Sequence, residues 1–319
     1  MRRRPRPRDV VVYWDAAGPV AVDLDSGVRR RVSARALGER PARTPSPGGR
    51  LAAWNGNVAS AFYAAVTRDL PYLQDPDAVE QYLREEVLTD PRPPRFKRLR
   101  GPLRPLSPAV PEGDGASLGR LLVARRTVRE FSRSPVSFDD LSVIVRASWG
   151  QIGWLDTGPM GRLVVKTSPS AGAMHPMECY VLAWNVAGLP KGLFHYDVRA
   201  DALRLLRRGD FRKRAVRIAS GQSWVGRAAF LCVMTAVAGR TLWKYRYENF
   251  YRSIWLEAGH VAQTFALVAT GRGLGPFQTA AFQDGLIERF LGLDGKREFP
   301  VYLCGAGVPR RRGAPAASR

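Results

Sequence analysis

Ser168-Pro-Ser-Ala-Gly-Ala-Met-His-Pro176 is a run of small side chains that leads directly into the apolar stretch Glu178–Asn185. Glycine and other small residues let another group approach the backbone closely, and Ser hydroxyls and loop amides can bond the polar edge of a ring. In isolation the run fits an ordinary turn about as well. It therefore predicts a turn before a buried strand, and it makes that turn a candidate binding loop.

Helical and strand-like patterns alternate on both sides of this run. We predict strands at 178–185, 192–197, 228–236 and 300–305, and helices at 117–126, 137–148, 210–219, 254–270 and 284–291. The helix over 254–270 is the longest, and Gly271, Gly273 and Gly275 end it. The pattern predicts an α+β fold, with a mixed central sheet wrapped by helices.

Composition shifts divide the chain into five segments. We predict a disordered basic tail at residues 1–9 and a small α+β module at residues 10–90, in which two strands are joined at Gly18-Pro19. A Pro/Gly/Ser-rich loop is predicted at Arg40–Gly49. The segment 91–116 predicts an extended connector, 117–309 the main domain, and 310–319 a basic tail.

Basic residues dominate the charge: 44 Arg and 6 Lys give a net charge of +22 over 319 residues. A nucleic-acid partner is one explanation, but the charge is spread along the chain and no zinc-finger or aromatic-basic RNA motif accompanies it. We favour compositional bias and predict no nucleic-acid binding. No apolar run is long enough for a membrane span, and no apolar segment follows the basic N-terminus, so we expect a cytoplasmic protein.

Cysteine and histidine positions give no sign of a metal site. Cys179, Cys232 and Cys304 each lie in an apolar, strand-like context without a CxxC spacing, which predicts reduced core residues. The three histidines show no metal-ligand spacing.

Two further motifs carry residues that are suited to phosphate binding and to proton transfer. Arg125-Arg126-Thr127-Val128-Arg129 groups guanidinium forks that suit phosphate oxygens, although such a run is more often a solvated edge. Lys244-Tyr245 places two proton-transfer groups just before the long helix, although chance Lys-Tyr pairs mostly lie on surfaces. No GxGxxG follows a strand, so a Rossmann site is not supported.

The order and spacing of these motifs resemble the flavin-dependent nitroreductase fold over residues 117–309. Within it, the chain is most similar to the SagB-type dehydrogenases, which oxidise azoline rings in modified peptides. The matching strings are Arg125-Arg-Thr-x-Arg-x-Phe131, Ser168-Pro-Ser-Ala-Gly-Ala-x-His-Pro176, Lys244-Tyr245, Glu257-Ala-Gly-His260-x-x-Gln263, Gly273-Leu-Gly275, Leu291-Gly-Leu-Asp294 and Gly305-x-Gly-x-Pro309. Each string is weakly specific, and the set is specific as a whole.

The resemblance implies an FMN cofactor and a homodimer with two sites at the subunit interface, the long helix being part of the dimer core. Its implied cofactor contacts fall into three groups. The ribityl-phosphate tail would meet Arg125, Arg126, Thr127 and Arg129, with Arg310 or Arg311 completing the phosphate site. The isoalloxazine ring would contact Pro169, Ser170 and Ala171. The other polar edge of the ring would contact the loop that runs from Gly273 through Leu274 and Gly275 to Thr279.

In the azoline-oxidising members a Lys-Tyr pair is the catalytic feature, and Lys244-Tyr245 occupies that place. The resemblance implies a modified precursor peptide as substrate, oxidised from thiazoline or oxazoline to the aromatic ring, with a cyclodehydratase complex as partner. Tyr245, with its pKa lowered by Lys244, is the favoured base. Two alternatives stay open: an NAD(P)H-dependent nitro- or quinone reductase, and a non-enzymatic subunit that binds a leader peptide.

Overall fold

The computed structural model describes residues 10–15, 18–23, 28–31, 58–67, 75–108, 117–246 and 250–310. By contacts, the chain separates into two compact units, residues 1–75 and 76–319. The predicted tail at 1–9, the predicted loop Arg40–Gly49 and all but the first residue of the predicted tail 310–319 lie outside the described residues. In the part of the chain that is described, no helix combines the length and apolar character required to cross a bilayer.

The first unit contains an antiparallel sheet of three strands, Val10–Asp15 (β1), Gly18–Asp23 (β2) and Arg29–Arg31 (β3). Asp15 pairs with Gly18, so Gly18 and Pro19 belong to the second strand, whereas we predicted that they join the two strands. The helix Val58–Val66 (α1) contacts β2.

A seven-stranded sheet organises the second unit. Its strands are Leu103–Pro105 (β4), Met177–Ala183 (β8), Gly192–Asp197 (β10), Ala202–Arg208 (β11), Phe230–Val237 (β12), Gly275–Thr279 (β13) and Glu298–Gly307 (β14). They lie side by side in the order β13-β14-β12-β8-β10-β11-β4. Every pairing in this sheet is antiparallel, so the α+β class is confirmed but the mixed strand direction that we predicted is wrong. An alternation of strands and helices is compatible with either direction, which explains the error.

Helices cover both faces of this sheet. They are Pro76–Tyr82 (α2), Leu118–Ala124 (α3), Phe138–Trp149 (α4), Arg212–Ile218 (α5), Ala238–Lys244 (α6), Phe250–Gly271 (α7) and Asp284–Leu291 (α8). Alternate residues of β8 and β12 point to opposite faces, as the pleat requires. Cys179 and Cys232 face the core formed with α4 and α7, whereas Tyr180 and Leu231 face the core formed with α5 and α8. All three cysteines are buried and free, which confirms the prediction of reduced core residues.

Two smaller pairings complete the fold. Val136–Ser137 (β5) pairs in parallel with Val186–Ala187 (β9), and Gln151–Asp156 (β6) pairs with Arg162–Lys166 (β7) as a hairpin. Four glycines between positions 150 and 161 dilute the strand pattern of β6, so periodicity alone does not indicate this hairpin.

The segment predicted as a connector packs on the second unit. Within 91–116, β4 forms an edge strand of the main sheet against β11. The neighbouring segment was predicted as part of the 10–90 module, yet Val87 is fully buried with Leu163 and Trp243. The contact boundary at residue 75 therefore differs from the predicted boundaries at 90 and 116, since apolar burial decides which segments fold together.

Candidate functional site

Lys244 and Tyr245 lie directly on the small-residue loop. Lys244 is the last residue of α6, and the Tyr245 amide donates to the Thr241 carbonyl, 2.9 Å away. Gly172 of the loop has a left-handed backbone (φ 56°), and a Cβ placed on it would lie 2.6 Å from Tyr245 Oη and 2.9 Å from Lys244 Nζ. Only glycine fits this position without moving the pair.

The loop has an unusual backbone that hydrogen bonds hold in place. Ala173 and His175 also have positive φ, 56° and 47°, which costs free energy in residues that carry a Cβ. Ser170 Oγ accepts a hydrogen bond from the His175 amide at 2.9 Å, and His175 Nε2 lies 2.9 Å from the Val164 carbonyl oxygen. These bonds within and beside the loop stabilise the sharp turn.

Three residues of one α7 face tie the loop to that helix. Positions 257, 260 and 264 share a face because they are spaced by about one helical turn. The contacts are Glu257 with the Ser170 hydroxyl, His260 Nδ1 with the Pro169 carbonyl at 3.2 Å, and Thr264 Oγ1 with Ser168 Oγ at 2.7 Å. The loop therefore takes its position from the long helix, and His260 has a structural role here.

Burial dominates the ionisation of the groups under the loop. It raises the pKa of Glu257 to about 7, against the opposing effects of the Ser170 hydroxyl, Lys166 and Arg240. It lowers the pKa of His175 to about 4, with help from the positive charge of Lys166. Burial likewise lowers the pKa of Lys166 to about 8, although Glu178 and Glu257 favour its charged form. Near neutral pH, Glu257 is thus poised to gain or lose a proton while His175 is neutral.

Lys244 has a depressed pKa, first because it is partly buried and second because Arg92 is close to it. Arg246, the next cation along the chain, is instead paired with the Asp90 carboxylate at 2.7 Å. Arg246 is the cation next to the pair in the sequence, but Arg92 is the one that lowers the pKa of Lys244. Arg92 was missed because only the fold brings it to Trp243, 151 positions later in the chain, with its Cζ 4.4 Å from the ring centroid.

Arg240 and Glu178 form a buried ion pair next to the loop. Arg240 is 5% exposed and donates to Glu178 Oε1 at 2.5 Å, to the His175 carbonyl and to the Pro94 carbonyl. The His195 ring, at 2.6 Å from Oε2, and Arg240 outweigh the effect of burial and lower the pKa of Glu178 to about 2. Arg240 thereby connects the loop to the segment around Pro94.

The arginine motif forms a second cluster. The Val128 amide donates to the Pro276 carbonyl at 2.9 Å, and the Arg310 amide donates to the Glu130 carbonyl at 3.0 Å. A Cβ on Gly275 would lie 2.7 Å from Val128, so the start of β13 packs tightly against the motif. No ion pair between described residues involves Arg125, Arg126 or Arg129, and the last two are exposed. Unneutralised guanidinium groups in one place favour an anionic ligand.

These two clusters lie apart within one chain. The loop is held at residues 257–264 of α7, whereas the arginine motif lies beside the other end of α7, where Leu121 of α3 would be 3.6 Å from a Cβ on Gly271. At the rise of an α-helix, residues 257 and 271 are separated by about 20 Å.

The structure therefore brings the predicted residues together in two groups. Pro169, Ser170 and Ala171 adjoin Lys244 and Tyr245 in one group. In the other are Arg125, Arg126, Thr127, Arg129, Gly273, Leu274, Gly275 and Arg310, while Arg311 lies outside the described residues. Glu257 and Arg92 are additional polar residues, for which the sequence held no signal beyond Glu257 lying in one of the motif strings.

The chain belongs to the nitroreductase family, whose model matches residues 122–308. A relative named as a nitroreductase in Methanocaldococcus jannaschii is 31% identical over 198 residues, which covers 62% of this chain and 94% of the relative. The microcin B17-processing protein of Escherichia coli is 28% identical over 140 residues, covering 42% of this chain and 51% of that protein. These matches confirm an oxidoreductase superfamily with relatives in peptide processing.

The fold agrees with this assignment. A nitroreductase crystal structure from Anabaena variabilis superposes with a TM-score of 0.57 at 21% identity, covering 76% of this chain and 49% of that chain. At this identity the likeness describes the fold only.

Proposed function

We propose that this protein is an FMN-dependent dehydrogenase that oxidises thiazoline or oxazoline rings of a modified peptide to thiazoles or oxazoles. The observation that carries the proposal is the contact of Lys244 and Tyr245 with Gly172. It puts two proton-transfer groups on the loop that the family resemblance assigns to the flavin ring. The microcin B17-processing relative supports a peptide substrate.

The chemistry requires a base next to the oxidant. Aromatisation removes two electrons and two protons from the azoline, and the ring α-carbon proton is acidic because it lies next to a carbonyl. The depressed pKa of Lys244 raises the fraction of neutral amine, which can accept that proton. Lys244 and Tyr245 are close enough to act as a unit. The lowered pKa of Lys244 supports its amine as the proton acceptor, whereas the family resemblance alone favours Tyr245.

The residues present fit an FMN cofactor. Arg125, Arg126 and Arg129 offer guanidinium donors that have no carboxylate partner among the described residues, which suits a phosphate, and Arg310 joins them. The loop from Ser168 to Gly172 offers backbone polar groups and small side chains, which suit a ring edge. Bound FMN would supply the two-electron acceptor that none of the amino-acid side chains can provide.

A homodimer would bring the two groups together. The two clusters are separated along α7, so each complete site would combine the arginine cluster of one subunit with the loop of the other. This helix carries large exposed apolar side chains, with exposures of 41% for Trp255 and 57% for Leu256. Such a face is typical of a subunit interface.

The substrate implies a partner as well. An azoline forms when a cyclodehydratase closes a Cys, Ser or Thr side chain onto the preceding peptide carbonyl. We therefore propose that the enzyme acts on the product of a cyclodehydratase, as part of a complex with it or directly after it.

A spectrum and a mass measurement test the proposal. Purified protein should show flavin absorbance, and a thiazoline-containing peptide should lose the mass of two hydrogen atoms. Lys244→Ala and Tyr245→Phe should keep the flavin absorbance and lower turnover by about 10²–10⁴-fold, the usual contribution of a proton-transfer group. Full turnover in both variants would exclude this mechanism.

The relative named as a nitroreductase favours one alternative, an NAD(P)H-dependent nitroreductase. Under this alternative, NAD(P)H would bleach the flavin rapidly, nitroarenes would be reduced, and Lys244→Ala would leave both rates intact. Azoline oxidation without NAD(P)H would separate the two functions.

A further inference from the structure

We propose that the Arg92 guanidinium binds the peptide carbonyl oxygen attached to the azoline ring carbon, and stabilises the negative charge that develops there during deprotonation. This inference rests on the proposed function, because the carbonyl belongs to the azoline substrate. It assigns a substrate contact to a residue outside the sequence motifs.

The first observation is an unpaired donor. Arg92 Nη2 is buried and has no hydrogen-bond partner among the described residues. Buried guanidinium N–H groups are nearly always paired, because the lost contact with water costs free energy. A donor without a partner in the free protein is therefore available to a ligand.

The second observation is the absence of a neutralising carboxylate in the described part of the site. Asp90, the acidic neighbour in sequence, pairs with Arg246. Arg92 lies close enough to Arg95 and Lys244 for its charge to matter, since Arg95 contributes to lowering the pKa of Arg92 and Arg92 contributes to lowering that of Lys244. An electron-rich oxygen would relieve the repulsion between the Arg92 and Arg95 guanidinium groups.

The third observation is a matching small cavity. Arg92 and Arg95 line a cavity of about 20 Å³ together with Ala173, Met174 and Trp243. This volume suits one water-sized group, and hence one carbonyl oxygen. Ala173 and Trp243 directly adjoin Gly172 and Lys244 in the sequence, so the cavity lies beside the pair.

The Arg92 side chain is also fixed in place. Its Cζ stacks 4.4 Å from the Trp243 ring centroid, and Trp243 Nε1 donates to the Asp90 carbonyl at 3.1 Å. A donor held before the substrate arrives loses little entropy on binding and is effective in the transition state.

The oxidation removes two hydrogen nuclei and two electrons from the azoline ring in all, and the electron pair that becomes the new double bond stays in the ring. The bond between the ring α-carbon and its hydrogen breaks, the proton goes to the Lys244–Tyr245 pair, and the electron pair spreads onto the carbonyl oxygen beside Arg92. Bound FMN would supply the acceptor for the hydrogen and two electrons that leave the adjacent ring carbon, and the electron pair from the α-carbon would then form the ring double bond. Arg92 remains protonated throughout, so it acts by charge and hydrogen bonding.

Steady-state kinetics with a thiazoline peptide provide the first test. Arg92→Gln should lower kcat by about 10²-fold or more, the usual loss on removing one oxyanion donor. Arg92→Lys keeps the positive charge but lacks the planar guanidinium group, so its kcat should lie between those of the wild type and Arg92→Gln. Arg84→Gln is the matched control, because its guanidinium is exposed and paired with Glu80, and it should keep the wild-type kcat. Unchanged kcat and KM in a folded Arg92→Gln protein would overturn the inference.

Binding of a thiazole carboxamide, with its carbonyl on the ring carbon next to nitrogen, gives a second readout that does not require turnover. The FMN-loaded wild type should bind this probe about tenfold more tightly than Arg92→Gln, as expected for a hydrogen bond to a charged group. If this difference appears in a protein that oxidises no azoline, the Arg92 contact stands and the proposed function fails. Equal binding by both proteins, or no binding by either, overturns the Arg92 contact whatever the turnover result.

Discussion

Gly172 is the residue that allows the loop and the Lys-Tyr pair to meet. We expect Gly172→Ala to lose catalytic activity, because its Cβ would displace Tyr245 Oη and Lys244 Nζ. Gly158→Ala is a matched control: its φ is 63°, and a Cβ there meets nothing within 4 Å. Both variants should lose about 1 kcal/mol of unfolding free energy from backbone strain alone. Turnover and thermal melting would be measured together, and equal turnover in the two would contradict the contact.

Glu257 gives a prediction about pH. Its pKa is raised from 4.5 to about 7 in the folded protein, so the folded state retains a proton that the unfolded state releases above pH 4.5. The contribution to stability is therefore fully present below pH 4.5, falls as the pH rises, and is lost above about 7. Glu257→Gln should remove this fall, which is about 3 kcal/mol at most.

Urea unfolding at several pH values measures that difference. His175 titrates with the opposite sign in the same range, since its pKa is lowered to about 4. Its Nδ1 lies 3.9 Å from Glu257 Oε1, so the difference between the two proteins reports the change at both residues. Parallel stability curves for the two proteins would show that the folded protein does not retain the Glu257 proton.

At the scale of helices and strands, the sequence predicted the elements whose pattern is local. Ser137 was predicted to open a helix, and its Oγ accepts from the Asp140 amide at 3.0 Å at the start of α4. Strand directions and the edge strand β4 depend on partners distant in the sequence, which neither propensity nor periodicity reports. The hairpin β6–β7 is local, but its glycines obscure the strand pattern.

The same limit applies to the candidate site. The family resemblance named the loop, the pair and the arginine motif, and the structure shows which of them are neighbours. The Arg92 stack on Trp243 and the contact of Glu257 with Ser170 come from tertiary packing, so no spacing in the sequence could indicate them.

Arg240 joins the start of α6 to strand β8, and its loss tests the buried ion pair. Arg240→Met keeps the length but leaves the Glu178 carboxylate buried with only His195, so we expect a loss of about 3–5 kcal/mol of unfolding free energy. Arg84→Met breaks the exposed pair with Glu80 and should cost less than about 1 kcal/mol. Similar losses in the two variants, measured by urea unfolding, would contradict this account.

For the whole molecule, the exposed apolar face of α7 predicts the oligomeric state. The double variant Trp255→Glu/Leu256→Glu should be monomeric in analytical ultracentrifugation and should lose its flavin, since charge at an apolar interface opposes association. Leu88→Glu changes a residue of similar exposure, 38%, outside α7 and should remain dimeric with bound flavin. A dimeric double variant would place the interface elsewhere.

The distance between the arginine cluster and the loop along α7 predicts how mixtures of two inactive variants should behave. If each site draws one half from either subunit, two inactive proteins, one altered at Arg126 and the other at Lys244, carry complementary defects. After the two are mixed and allowed to exchange subunits, half of the dimers should be hybrids, each with one undamaged site. The mixture should recover about a quarter of the wild-type activity, although neither parent has any.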